Sequence, residues 1–274
     1  MTTPTKPERG SGAPGSDIWV RLASGVVLAV VGLAAVHAGG MWFLALVGVV
    51  GLLLIHEWNS ITIRGGHGAM AALHAACFLG AGAAGVAGRF DLSLWLVLAG
   101  VPASALLARG LGKSVLWPAL GLPYVALPCL AMIWLRFDAT LGTAQVYWLL
   151  ATIWATDTGA YAAGRSIGGP KLAPCISPKK TWAGLIGGMA AAMAVGGATA
   201  AAVGLPHPLG LALVSGVVGG WSQVGDLSES AMKRHFGVKD SSNLIPGHGG
   251  FLDRLDGLLF AAPVAAAAIG FGWL

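Results

Sequence analysis

The sequence predicts an all-α polytopic integral membrane protein of about nine transmembrane helices, with a polar site that faces the cytosol. The first observation behind this fold class is a shortage of charge. Asp, Glu, Lys and Arg make up 10% of the 274 residues, where a soluble globular domain carries roughly 25%. With 56% apolar residues and a mean hydropathy of +0.76, the chain has too little polar surface to coat a water-soluble particle. Intrinsic disorder is excluded too, because it needs low hydrophobicity and high charge density. The second observation is a series of apolar runs, each near the roughly 20 residues that a bilayer-crossing helix requires. The third is the placement of the basic residues, which cytoplasmic loops hold in excess.

Taken in order, residues 1–20 are a polar tail rich in Pro, Gly, Ser and Thr, expected to be mobile, with no removable signal peptide. The apolar runs follow at 22–38, 41–58, 69–88, 92–108, 114–135, 143–163, 182–204, 207–224 and 257–273. Backbone in lipid must satisfy its own hydrogen bonds, so each run reads as a helix. Two blocks result, N-terminal helices over 21–142 and C-terminal helices over 143–274. The 43 glycines show no collagen period and suit close helix packing in lipid. With the N-terminus inside, the inner segments hold Lys6, Arg9, Arg21, Arg64, Arg109, Lys113, Arg165, Lys171, Lys179, Lys180, Lys233, Arg234, Lys239 and Arg254, and the outer loops only Arg89 and Arg136. An error of one span in the middle would destroy that asymmetry. Cys77 and Cys129 read as small buried hydrophobes, and Cys175 has no Cys or His at zinc spacing, so neither disulfide nor zinc is expected.

Two connections, 164–181 and 225–256, are long and polar, and both fall on the inner side. Before the first lies Asp157, an ionisable residue inside a span and therefore a functional candidate; its plain alternative is an ion pair with Arg165 or another base of the loop. Ser177-Pro178 reads as an N-cap followed by proline at the first helical position, which puts Lys179 and Lys180 in a first helical turn. Positive charge there opposes the helix dipole unless an anion binds with it. The alternative is that both lysines serve the inside-positive rule or anionic headgroups. In the second connection, Asp226, Ser230, Lys233 and Arg234 share a broad face if the eighth helix runs on to 235, and Asp253 and Asp256 share another at the start of the ninth. Asp226 with Asp253 or Asp256 offers oxygen ligands to a hard cation such as Mg²⁺, which completes its shell with water and phosphate. Pro246 to Gly250 is a glycine-rich turn whose N–H groups suit phosphate. Gly110-Leu-Gly112-Lys113-Ser114 lacks the first glycine of a P-loop, and Leu107 stands there instead. His37, His56, His74 and His207 are scattered and read as packing residues, while His56 and Glu57 close the second span on the side of the site.

These residues resemble the phosphatidate cytidylyltransferase family, also called CDP-diacylglycerol synthases. Ser230, Lys233, Arg234, Lys239, Asp240, Ser242, Pro246, His248, Gly249, Gly250, Asp253, Arg254 and Asp256 match the family's C-terminal signature in order and spacing. Asp157-Thr-Gly-Ala-Tyr161, Gly164-Arg165, Lys171 and Ser177-Pro-Lys-Lys-Thr-Trp182 are similar to its upstream segment, with Ala183 where the family often has an acid or amide. The resemblance covers roughly 150–260 and implies transfer of CMP from CTP to phosphatidic acid, giving CDP-diacylglycerol and pyrophosphate with Mg²⁺. It implies Asp226 and Asp253 as metal ligands, with Asp256, Lys233 and Arg254 completing the catalytic set. Asp157, Ser177, Lys179, Lys180, Ser230, Arg234, Lys239, Asp240, His248, Gly249 and Gly250 are the expected substrate contacts. The expected setting is a bacterial inner membrane with the site toward the cytoplasm and acyl chains arriving laterally between helices. A second cation such as K⁺ and a homodimer are left open, and no nucleic-acid partner is expected. The rivals are a cytidylyltransferase for another lipid phosphate, a transporter of an anionic metabolite, and a lipid-binding scaffold. Polar residues gathered at one face, without an exit path, argue against transport.

Overall fold

The structure, a computed structural model, describes residues 14–63, 68–137 and 141–272. Most of the polar tail lies outside them, with Lys6, Arg9 and Arg64 of the inner bases. Among the described residues the chain forms α1 (Pro14–Ala38), α2 (Gly40–Thr62), α3 (Gly68–Val86), α4 (Phe90–Gly110), α5 (Leu116–Phe137), α6 (Gly142–Ser166), α7 (Trp182–Ala202), α8 (Pro208–Phe236) and α9 (Leu252–Gly270). Each apolar run is thus one helix. Six of them, α1 to α5 and α7, are long and apolar enough to cross a membrane, and the chain is a multi-pass membrane protein. The other three, α6, α8 and α9, carry Asp157, Asp226, Asp253 and Asp256.

Three features differ from the expectation. Residues 14–20 belong to α1, because Pro14 suits a first helical turn and the helix continues from it without interruption. The connection between α6 and α7 holds one short strand pair in an otherwise all-helical fold: β1 (Lys171–Ala173) and β2 (Ser177–Thr181) form an antiparallel hairpin with Lys171 opposite Thr181. Ser177-Pro178 therefore caps no helix. The N-cap of α7 is Thr181, whose Oγ1 accepts from Gly184 N at 3.0 Å. Lys179 and Lys180 lie in a strand, where successive side chains take opposite faces, so they do not flank one helix terminus together.

Small residues set the spacing of the C-terminal helices. A Cβ on Gly187 would sit 2.2 Å from Ala163 Cβ, and one on Gly188 would sit 2.9 Å from the Thr156 carbonyl oxygen. Nothing larger than hydrogen fits between α6 and α7, which brings backbones as close as lipid-phase packing allows. The same holds where α8 meets α9, with the Asp256 carbonyl 2.4 Å from the place of a Gly225 Cβ. The larger apolar residues, among them Trp58, Leu122, Leu135, Trp148 and Leu149, fill the interior around α2, α5 and α6. At 29 residues, α8 is about 43 Å long and outruns the roughly 30 Å of a hydrocarbon core. Gly237, left-handed at φ 66°, ends it, and its N–H donates to the Arg234 carbonyl.

The helix ends form two groups. At one end Ser24 of α1, Glu57 of α2, the hairpin, the C-terminal part of α8 and the start of α9 meet. At the other, Arg136 Nε donates to the Val36 carbonyl at 3.1 Å and Arg89 pairs with Asp91.

Candidate active site

The polar residues converge where α8 crosses α9 beside the hairpin. Close approach at Gly225 and Gly257 brings the Asp226 and Asp256 carboxyl groups into hydrogen-bonding reach of each other. Asp256 also accepts from the Gly257 N–H at 2.8 Å. Lys180, from β2, forms an ion pair with Asp226 and donates to Gln223 Oε1 at 3.0 Å. Gln223 Nε2 in turn reaches Asp157 at 3.4 Å, while Arg165 donates to the Tyr161 hydroxyl. Asp157 therefore joins the α8 cluster rather than pairing with Arg165. Tyr124 Oη and Glu229 Oε1 are buried here without a hydrogen-bond partner among the described residues.

One helical turn away, Lys233 bridges Glu229 at 2.8 Å and Asp253 at 2.6 Å. The other Asp253 oxygen accepts from the Ser241 N–H and hydroxyl, both at 2.9 Å, and from the Gly250 N–H at 2.8 Å. Burial alone would raise this carboxyl; Lys233 and the two backbone donors outweigh it and hold it at about 2. Asp253 thus fastens the 237–251 loop to α9. A Cβ on Gly249 would strike its carboxylate at 2.6 Å, and φ of +82° independently requires glycine there.

Glu57 is the residue the sequence reading undervalued. It is fully buried, and it accepts from Phe251 N at 2.9 Å, Leu252 N at 2.8 Å, Ser242 Oγ at 2.6 Å and Ser241 Oγ at 3.1 Å. The N-cap residue Phe251 has no side-chain cap bond, and this carboxylate from α2 takes the first N–H groups instead. The available signal was the one that singled out Asp157, a carboxylate in an apolar run.

At the rim, Ser24 Oγ lies 2.8 Å from His248 Nδ1, and Arg254 Nε donates to the His248 carbonyl at 3.0 Å. Arg21 packs against Gly247. Burial, followed by the charges of Arg254 and Arg21, pushes the His248 imidazole below its usual 6.5. Arg234, Lys239 and Asp240 are exposed around α8's end and the following loop, Lys179 is exposed on β2, and Ser177 and Ser230 are half-buried. The structure brings Asp226, Asp256, Lys180 and Asp157 into one group and Lys233, Asp253 and Gly250 into a second beside it. His74 is a packing residue, bonded to Asn59 and Ser104 in the interior, and the three cysteines are free.

Residues 19–271 match the cytidylyltransferase family. The chain belongs to that family. Among cytidylyltransferase relatives, the phosphatidate cytidylyltransferase of Brucella suis is 37% identical over 264 residues, covering 90% of this chain and 91% of its own. That of Bacillus subtilis is 44% identical over 123 residues, 44% of this chain and 46% of its own. A Staphylococcus epidermidis phosphatidate cytidylyltransferase is 44% identical over 124 residues, 45% of this chain and 48% of its own.

As a metal site, the donor set is two adjacent carboxylates, and no group of three or more His, Cys, Asp or Glu suited to a metal occurs among the described residues. Two like charges this close favour a proton or a cation between them. A cation that keeps water and takes phosphate oxygens as further ligands, as Mg²⁺ does, fits such a sparse pair.

Proposed function

We propose that this cytidylyltransferase transfers CMP from CTP to phosphatidic acid, giving CDP-diacylglycerol and pyrophosphate. The observation that carries the reading is the α8–α9 crossing, where the paired carboxylates of Asp226 and Asp256 meet Lys180, and Lys233 holds Asp253 one turn away, at one end of an apolar helix bundle. The names of the relatives support it. An oxygen of the lipid phosphate attacks the α-phosphorus of CTP, the bond from that phosphorus to the bridging oxygen breaks, and its electrons leave with pyrophosphate. The nucleophile is already an anion, so the site needs no strong general base. Its task is to align two polyanions and to stabilise the departing one.

Lys180 and Lys233, tied to carboxylates in this structure, are positioned to turn toward phosphates. Arg234, Lys239, Lys179 and Arg254 line the approach, while Ser177, Ser230, Asp157, Asp240 and the His248–Gly250 segment shape the nucleotide and headgroup contacts. Asp226 and Asp256 would hold Mg²⁺, which supplies charge neutralisation at the phosphates. Asp253, saturated by Lys233, Ser241 and Gly250, then acts on the loop that borders the metal rather than as its first ligand. We read α6, α8 and α9 as the remaining spans and place the site at the cytoplasmic face of a bacterial inner membrane.

Purified protein in detergent, given labelled CTP and phosphatidic acid, forms CDP-diacylglycerol and pyrophosphate, and chelator stops the reaction. Asp256→Asn and Asp253→Asn each remove nearly all turnover while the protein still expresses. Normal turnover in Asp256→Asn rejects the metal pair, and CTP-independent flux of an anion in liposomes would replace the reading with transport.

A further inference from the structure

A cavity of about 390 Å³ lies between α1, α2, α5, α6 and α9, within the size range of lipid and drug sites. Its walls are apolar along nearly their whole length, with Phe43, Val47 and Met132 among them. Of the described side chains that line it, His248 and Arg254 alone carry or gain positive charge, and both stand at one end. Arg21 joins them there, against Gly247 and close enough to lower the affinity of His248 for a proton. Ser24 fixes the imidazole by its contact with Nδ1 and leaves Nε2 for a ligand.

The sequence explains why the space exists. The inward face of α1 carries Gly25, Ala29 and Gly32, and a Cβ on Gly32 would meet nothing within 4 Å. Interiors normally close to crystal-like density; here α1 leaves space at Gly25, Ala29 and Gly32, between its larger lining residues Leu28, Leu33 and Val36, and does not move in. From Gly25 to Val36 the cavity follows α1 for about 16 Å. That is the depth of one leaflet, about half of a hydrocarbon core of roughly 30 Å. The charged end adjoins the loop that Asp253 holds, and the apolar end points toward the bundle's midplane.

Resting on the cytidylyl-transfer reading, we infer that this cavity holds an acyl chain of the acceptor lipid phosphate, with its phosphate seated on Arg21, His248 and Arg254. A monoester phosphate is the headgroup that such a basic cluster recognises, and an apolar slot one leaflet deep directly below it is shaped for that lipid's own chain. The C-terminal motif supplies His248 and Arg254. The third base and one wall come from α1, which lies outside that motif.

The test uses the full-length protein in detergent, with dioleoyl- and dihexanoyl-phosphatidic acid as acceptors at saturating CTP. Gly32→Phe fills the slot, and its kcat/KM for the dioleoyl lipid falls about tenfold relative to the dihexanoyl one, the order expected when roughly two methylenes are kept from an apolar site. Arg21→Ala raises KM for both lipids alike and leaves KM for CTP unchanged. Gly48→Phe, on α2 away from the cavity, is the control. Should Gly32→Phe not fold, Ala29→Leu obstructs the same wall. Folded variants with unchanged lipid KM, or equal losses for both chain lengths in Gly32→Phe, overturn the inference. Native mass spectrometry after incubation with dioleoyl-phosphatidic acid separates the two levels. A wild-type protein that turns over no CTP yet retains this lipid, and loses it in Gly32→Phe and Arg21→Ala, keeps the site and rejects the transfer reading. Neither turnover nor bound lipid rejects both.

Discussion

Replacing Glu57 by Ala removes one carboxylate from α2, and the structure makes the consequence at α9 calculable. Four donors converge on it, the N–H groups of Phe251 and Leu252 and the hydroxyls of Ser241 and Ser242. Ser241 can keep its bond to Asp253, and Ser242 can turn to solvent, so the hydroxyls contribute little to the loss. The two backbone N–H groups have no other acceptor in place, and leaving each unmade costs roughly 1–3 kcal/mol. Loss of a negative charge at a helix N-terminus adds about 0.3–1 kcal/mol. Together they predict about 4 kcal/mol of destabilisation, which in a chain of this size lowers Tm by about 10 °C. Glu57→Gln keeps one acceptor oxygen and turns an amide NH₂ toward the other donor, so it falls between wild type and Ala. Because α9 carries Asp253 and Asp256 in its first turns, a shift of its start by about 1 Å lowers kcat by about a hundredfold even well below Tm. Thermal unfolding in detergent, followed by tryptophan fluorescence, and CTP turnover at 25 °C measure the two effects. A Glu57→Ala protein with Tm within about 2 °C of wild type and normal kcat refutes the argument that α2 positions the site.

Lys180→Met removes the cation that faces Asp226 and Gln223. Its kcat/KM for CTP should fall by about 10²–10³, the usual size of a lost electrostatic contact to a transition state, and unaltered steady-state kinetics would take Lys180 out of the reaction. Glu229, in the part of α8 beyond the eighth span, is pushed by burial, with Asp253 adding and Lys233 opposing, from 4.5 up to about 7. Between those values the folded protein keeps a proton that the unfolded chain has released, so stability is fully present below 4.5 and declines as pH rises through 7. The decline amounts to about 3 kcal/mol at most. Tm measured in chelator from acid to neutral pH should drop across this window in wild type and stay flatter in Glu229→Gln; parallel profiles would reject the assignment.

Much of the fold was legible because membrane helices are coded locally. A run of apolar residues long enough to cross lipid has no alternative to an α-helix, and the asymmetry of Lys and Arg orders the ends. What misled was the stretch from Lys171 to Thr181: serine followed by proline signals a helix start, but pairing across the hairpin, a non-local term, placed the cap at Thr181. The acids of the site were visible as costly charges near apolar runs. Their partnerships were not, because Asp226 has Asp253 and Asp256 at similar separations in sequence, and only the close crossing at Gly225 decides which carboxylate it meets.

The sequence by itself determined a bundle of membrane helices and a motif specific enough to name a family. Those properties follow from composition and from short-range pattern. The tertiary structure alone decided that Asp226 faces Asp256, that Asp253 holds a loop through Lys233, Ser241 and Gly250, that a glutamate nearly 200 residues upstream caps the helix carrying both aspartates, and that α1 stands off far enough to leave a slot one leaflet deep. Each depends on how closely two helices approach, which is set by glycine opposite backbone or side chain across the interface and cannot be assigned from one helix alone.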